Sequence, residues 1–293
     1  LTTANLTFRP IPLNERCNQF LTADRGWYEG GRDLSQLPVG DVTLEGVPYQ
    51  IRDFKTSPLP SCVMLAGPGA RGQLAEAVPG LPVTGKADAL FFLHTMSRTG
   101  EWRAAKPDDA PPTVFQYVVH YADGETVTVP VRYGQEVDHW VSRQPVGLPN
   151  ASVAWAAPLA GGDTGDQAVL YRFEWANPRP DVEITGVDMS YGPEGSRYGV
   201  PALIAVTAAV GPLADGGGQR RPRRAWGFRL GRRRAGRRTP SGLARGQGAD
   251  GGLPRPTEVG PKQAVPLRPV LNGGPCSGIG DHAGWRTGGG DGG

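Results

Sequence analysis

Cysteine is scarce in this chain, with three among 293 residues, at positions 17, 62 and 276. No two stand close enough for a Cys-x-x-Cys redox pair or a zinc knuckle, so functions built on either are excluded. Cys17 and Cys62 admit two readings, one bridge in an oxidising compartment or two small buried thiols. Long apolar runs are missing as well. None approaches the roughly 18 residues of a spanning helix, which excludes a membrane protein built on such helices. Helical periodicity is also absent ahead of residue 214, where no segment longer than about ten residues shows it. Gln73–Val78 has the makings of a turn and a half of helix before Pro79 stops it.

Glycine and proline take the place of helix formers. They number 44 and 29, so 73 of 293 residues, about a quarter, where ordinary proteins carry about 12%. Both are poor helix residues, which points away from a helix-rich fold. The average hides two unlike stretches. Residues 214–293 hold 22 Gly, 8 Pro and 15 basic residues against 5 acids, a balance of +10, and only 3 of the 23 aromatics. Such a segment buries too little apolar surface to offset the entropy of ordering, so it reads as a disordered tail. Its arginine clusters, such as Arg220-Arg221-Pro222-Arg223-Arg224, suit phosphate backbones in principle. The same composition follows from G/C-rich codons alone, and nucleic acid is not the expected partner. Residues 1–213 carry 16 basic and 23 acidic residues, −7 in all. They form the expected folded domain.

That body reads as strands and loops. Runs rich in β-branched and aromatic residues recur at Val42–Leu44, Val47–Ile51, Cys62–Ala66, Ala89–Thr95, Phe115–Tyr121, Thr126–Arg132, Ser152–Ala156, Val169–Trp175, Ile184–Tyr191 and Ala202–Thr207. Turn residues separate many of them. Tyr117, Val119 and Tyr121 share one face, and Val127, Val129 and Val131 share another. Between these runs Ala122-Asp123-Gly124-Glu125 makes a hairpin turn. Many short strands with Gly/Pro turns and no crossover helices predict an all-β antiparallel sandwich of jelly-roll type.

Most chemical motifs fail for want of context. Gly67-Pro68-Gly69-Ala70-Arg71-Gly72 matches G-x-G-x-x-G, but Pro79 and Pro82 cut short the helix that a dinucleotide site requires. No G-x-S-x-G elbow occurs. His94 and His120 sit inside strands, where a histidine bonded to backbone is the expected role. Carboxylates such as Asp108, Asp109, Glu136 and Asp138 are the raw material of glycosidic cleavage, but nothing in the spacing selects a pair. Asp163-Thr164-Gly165-Asp166 has oxygen ligands suited to calcium but too few acids for it, and a plain polar turn is the expected reading. Asn5-Leu6-Thr7 and Asn150-Ala151-Ser152 are glycosylation sequons that matter only in a suitable host.

Aromatics are more informative. Flat rings stack on the apolar faces of sugars while neighbouring polar groups bond the hydroxyls. Trp155 and Trp175 lie within strand runs and are expected in the core. Trp27-Tyr28, Trp102 and Asp138-His139-Trp140 lie in or beside loops. With Arg132 they are the candidate ligand-binding residues.

Ordered short motifs add a resemblance. Leu44-Glu45-Gly46-Val47-Pro48-Tyr49-Gln50-Ile51, Ala89-Leu90-Phe91-Phe92-Leu93-His94-Thr95, Tyr117-Val118-Val119-His120-Tyr121-Ala122-Asp123-Gly124 and Trp175-Ala176-Asn177-Pro178-Arg179-Pro180 run through most of residues 5–208. Together they resemble the galactose-binding-like, carbohydrate-binding-module type of domain attached to secreted bacterial glycoside hydrolases and surface proteins. The resemblance implies a non-catalytic module outside the cytoplasm, a carbohydrate partner, and an accessory role beside a catalytic domain upstream. Members often hold a structural calcium; no other cofactor is expected. The alternatives are a glycan hydrolase using a carboxylate pair and an interaction domain without a sugar site.

Overall fold

The computed structural model describes residues 6–28, 31–100, 102–103, 106, 108–159 and 165–211. The tail expected to be disordered, 214–293, lies outside the described residues, as do Asn5, Asp163 and Thr164. The described strands are β1 (Thr7–Ile11), β2 (Gly40–Leu44), β3 (Val47–Ile51), β4 (Val63–Met64), β5 (Ala77–Leu81), β6 (Ala89–Arg98), β7 (Thr113–Tyr121), β8 (Thr126–Arg132), β9 (Val141–Ser142), β10 (Ala151–Pro158), β11 (Gln167–Ala176), β12 (Ile184–Tyr191) and β13 (Gly199–Val210). Among the described residues the only helical segment is one 3-10 turn, Gly195–Arg197. The fold is all-β and every pairing between these strands is antiparallel.

Seven strands make the larger sheet, in the order β1-β13-β6-β11-β10, with β4 on β13 and β9 on β11; four make the second, β5-β12-β7-β8; β2 and β3 form a separate hairpin. The large sheet is covered on both faces. Leu90, Phe92 and Met96 of β6 meet Phe115, Tyr117, Val119, Val187 and Met189 of the four-stranded sheet in one core. The alternate residues Ala89, Phe91 and Leu93 meet Leu21, Trp27, Tyr28, Leu34, Tyr49, Ile51 and Phe54 in a second core, beneath the β2–β3 hairpin and the loops around it. Burial on both sides explains why β6 and β13 are almost unbroken apolar runs, whereas β7 and β8 alternate. Continuous apolar strands are the usual mark of parallel sheets covered by helices; here a hairpin and loops provide the cover.

In the larger sheet two bulges adjust the alternation. The register slips between Leu203 and Ala205 on β13, and between Val153 and Trp155 on β10. One extra residue turns two neighbours to the same face. Ile204 and Ala205 accordingly both enter the second core, and Ala154 and Trp155 both pack there.

The turns follow their residues. Gly124 adopts φ 85° at the tip of the β7–β8 hairpin, where the Tyr121 and Gly124 amides bond across the turn to Glu125 and Tyr121 carbonyls at 3.0 Å each. Two residues, Glu45 (φ 47°) and Gly46 (φ 74°), link β2 to β3. Both angles are positive, the pattern of a type I′ turn, which matches the twist of the strands it joins.

One expectation is corrected here, and one open choice is decided. Ala77–Leu81 is an edge strand, so Gln73–Val78 is not a helical turn; Pro79 is tolerated because an edge strand leaves amides outside the ladder. Cys17 and Cys62 are free thiols, not a bridge. Cys17 packs on the first core and Cys62 lies within the second. Burial raises Cys17 to about 11 and holds Cys62 well above the ordinary thiol value, which leaves both protonated and unreactive at neutral pH.

Candidate functional site

The loop between β8 and β9 gathers the polar side chains that the large sheet leaves exposed at one end. Its anchor is Glu136, whose side chain is 3% exposed. Glu136 accepts hydrogen bonds from the Arg132 amide at 2.8 Å, from Arg132 Nε at 3.1 Å and from Asn150 Nδ2 at 2.7 Å, and Arg132 Nη2 completes the ion pair at 2.5 Å. A buried carboxylate needs this many donors to replace its hydration. The Glu136 carbonyl in turn contacts His94 Nε2 at 2.9 Å, and His94 Nδ1 meets the Tyr117 hydroxyl at 3.1 Å. His94 is thus a structural strand histidine. Burial lowers its pKa to about 4, against a smaller opposing contribution from Glu136.

This clamp fixes two walls of a cleft. One wall is Asp138-His139, two residues beyond Glu136; the other is the loop ending at Asn150. The cleft is about 170 Å³ and is lined by Arg98, Asp138, His139, Val141, Ser142, Val146, Leu148 and Tyr171. The Arg98 amide donates to His139 Nδ1 at 3.1 Å, and Asp138 Oδ1 accepts the His139 amide at 2.6 Å. Burial, with the charge of Arg98 next, lowers the His139 pKa. The ring is therefore neutral at pH 7, with its hydrogen on Nε2. Arg98 Nη1 reaches the Tyr133 hydroxyl at 3.2 Å. The cleft is thus lined by residues that carry a guanidinium, a carboxylate, an imidazole, hydroxyls and apolar groups.

The seven expected ligand residues divide. Asp138 and His139 line the cleft. Arg132 lies behind it, committed to Glu136. Trp102 is half-buried and packs on the first core. Trp27, Tyr28 and Trp140 are corrections, since they are 0%, 2% and 3% exposed and expose no ring face to a ligand. Their rings form one cluster, with centroids 4.5 Å apart for Trp27–Tyr28, 5.6 Å for Trp27–Trp140 and 6.0 Å for Tyr28–Trp140. Trp140 is held by its backbone, its amide on the Met96 carbonyl and its carbonyl on the Val169 amide, both at 2.8 Å. It plugs the space between diverging β6 and β11. Arg98, Ser142 and Tyr171 were missed, because strand residues spaced across the chain carry no local sign that they converge.

Other candidates take structural roles. Asp166 accepts Arg32 at 2.7 Å and Arg143 at 3.1 Å. His120 pairs with Asp188 at 2.8 Å. Asp109 accepts the Lys106 amide at 2.8 Å. Among the described residues no three His, Cys, Asp or Glu side chains gather as a metal site, and no helix is long and apolar enough to cross a membrane. The Gly67–Gly72 loop leads toward β5, and Gly67 is needed for close approach, since a Cβ there would lie 2.5 Å from Val200 Cγ2.

No family model and no solved structure matches the chain. A curated protein that does match is 4-diphosphocytidyl-2-C-methyl-D-erythritol kinase of Salinispora tropica, 32% identical over 159 residues, 53% of this chain. The chain spans 44% of that protein's length, too little to establish a shared family. Among the described residues no α-helix is present whose N-terminus would cradle a phosphate.

Proposed function

We propose that the described body is a non-catalytic carbohydrate-binding or accessory module acting outside the cytoplasm, with a jelly-roll sandwich as its frame. The strand order supports the frame. β1-β13-β6-β11 faces β5-β12-β7-β8, so the chain passes repeatedly from one sheet to the other, as a jelly roll requires. The observation that carries the functional reading is the cleft of Arg98, Asp138, His139, Ser142 and Tyr171. It combines hydroxyl-bonding groups with a partly apolar wall, and it is small enough for a single ring rather than the roughly 300 Å³ or more of larger ligands. Binding is favoured over hydrolysis because Glu136, one of the two nearby carboxylates, is already fully bonded and sealed from solvent.

Retention on a glycan array is the test. The wild-type protein is expected to bind at least one glycan without releasing product. Asp138→Asn is expected to abolish retention with an unchanged melting curve. A folded protein that retains no glycan overturns the reading.

A further inference from the structure

A second cleft adjoins the first, and one residue lines both. It is about 360 Å³ and is bounded by residues 147–152 together with Arg172 and Glu174 of β11. Leu148 is shared with the smaller cleft of Asp138 and His139. The chain from Val146 to Leu148 runs along the common border, and Val146 is 64% exposed there. Backbone bonds fix this border. Leu148 and Ala151 exchange them at 2.7 and 3.4 Å, and the Asn150 amide donates to the Gln135 carbonyl at 3.0 Å. Asn150 Nδ2 is tied to Glu136 at 2.7 Å. A ridge bonded at this many points is pre-organised, so a ligand laid across it orders little of the chain on binding.

The polar lining is of one kind in both clefts. Arg172 and Glu174 stand two residues apart on one face of β11, and Arg172 also donates to the Glu45 carbonyl. Arg98 and Asp138 line the smaller cleft. Each lining sets one cationic side chain beside one anionic, which gives a charged ligand no net advantage and suits hydroxyls, which both donate and accept. Ser152, on the wall of the larger cleft, has its hydroxyl buried without a hydrogen-bond partner. Rotation about χ1 turns such a group toward a ligand that can satisfy it. From this arrangement we infer that the two clefts are adjoining subsites for the interior of one neutral, linear glycan, whose apolar C–H surface crosses Val146 and Leu148. The inference rests on the proposed carbohydrate-binding role and adds that a stretch of chain is recognised rather than a terminal sugar. The larger cleft reaches the roughly 300 Å³ expected of a ligand pocket, which the smaller one alone does not.

Chain length is the variable to test. β-1,4-linked oligomers of galactose, glucose, mannose and xylose, from one sugar to six, are titrated into the full chain by calorimetry. In each series that binds, the hexamer is expected to bind at least ten-fold more tightly than the single sugar, because linked subsites reinforce one another. Gly147→Leu adds bulk to the larger cleft at a position where a Cβ meets nothing nearer than the Ala151 carbonyl at 3.7 Å. It is expected to bring that ratio to about one, with single-sugar affinity and melting temperature unchanged, whereas Gly147→Ala keeps the ratio. Ser152→Ala removes a hydroxyl that has no partner, so it is expected to weaken the hexamer about three-fold without destabilising the fold; it decides the matter should Gly147→Leu not fold. Equal wild-type affinity for single sugar and hexamer overturns the adjoining-subsite inference and leaves the binding-module reading intact. A chain-length gain that survives these substitutions places the extra contacts elsewhere and also overturns it, as does retention of acidic glycans alone on the array. Failure of every glycan to bind the folded protein removes both readings together.

Discussion

The two cores on either face of the large sheet are built by different means. The inter-sheet core is strand against strand. Phe92 stacks on Tyr117 with centroids 4.0 Å apart and lies 6.1 Å from Phe173, and each of these rings comes from a regular alternating position. The second core sets strand against loop. Trp27, Tyr28, Leu34, Leu37 and Phe54 arrive from irregular segments and fold onto the outer face of β6 and β13. Loops can bury such rings only when their backbone polar groups find partners. They do so here through bonds such as the Leu34 amide to the Leu21 carbonyl and the Trp27 amide to the Thr22 carbonyl, both at 3.0 Å. Loop aromatics are therefore not automatically surface aromatics.

The sharpest way to break that comparison is to hollow each core in turn. Phe92→Ala and Trp140→Ala should each cost about 3–5 kcal/mol by chemical denaturation, the range for truncating a buried aromatic. Hydrogen exchange should separate them. Phe92→Ala should loosen both sheets together, whereas Trp140→Ala should first open the loops of residues 12–62. Wild-type-like stability in Trp140→Ala would return that ring to the surface role it was first assigned.

Glu136→Gln tests the clamp at the sheet's end. Loss of the buried charge should lower stability by about 3 kcal/mol, with Arg132's partial exposure placing it at the low end of the range for a broken buried pair. Unchanged denaturation would show that Arg132 and Asn150 hold the loop without it.

Acid should weaken the fold through the first core. His94 titrates at about 4 when folded, against 6.5 for the ordinary side chain. Below pH 6.5 the unfolded chain takes a proton that the folded chain refuses, so this contribution is whole above pH 6.5 and is lost as pH falls toward 4. The loss amounts to about 3 kcal/mol, and His139, also lowered, adds to it in the same direction. Melting temperatures measured from pH 7 to pH 4 should fall less steeply in His94→Gln. Parallel slopes would remove His94 from the account.

The smallest effect sits on the cover of the second core. Glu45 holds φ 47°, a conformation that asparagine accepts more readily. Glu45→Asn should raise stability by roughly 0.5–1 kcal/mol, the scale of relief for a residue in left-handed geometry. No gain in the denaturation midpoint would mean that the turn relaxes in solution.

Much of the strand pattern was legible. Val47–Ile51, Thr126–Arg132 and Ile184–Tyr191 occur with the expected bounds, because β-branched alternation and turn residues are local signals. β1 and β5 were not, since Pro10, Pro79 and Gly80 disguise them. Both lie at sheet edges, where a proline's missing amide is tolerated. β9 has two residues and no pattern to read. Of the site, Asp138 and His139 were legible as a polar pair beside a loop. Arg98 and Tyr171 were not, being 73 residues apart in the chain and joined only through β6 and β11.

Composition and periodicity by themselves determined an all-β body, the β7–β8 hairpin and the contrast between an acidic body and a basic 214–293 stretch. Each of these depends on residues near one another in sequence. The tertiary structure alone decided which faces are covered. Alternation shows that a strand has two sides, but it cannot show that loops from residues 12–62 bury the second one. That cover turned Trp27, Tyr28 and Trp140 inward and left the cleft to Arg98, Asp138, His139 and Tyr171, because burial is a property of distant chain segments brought together.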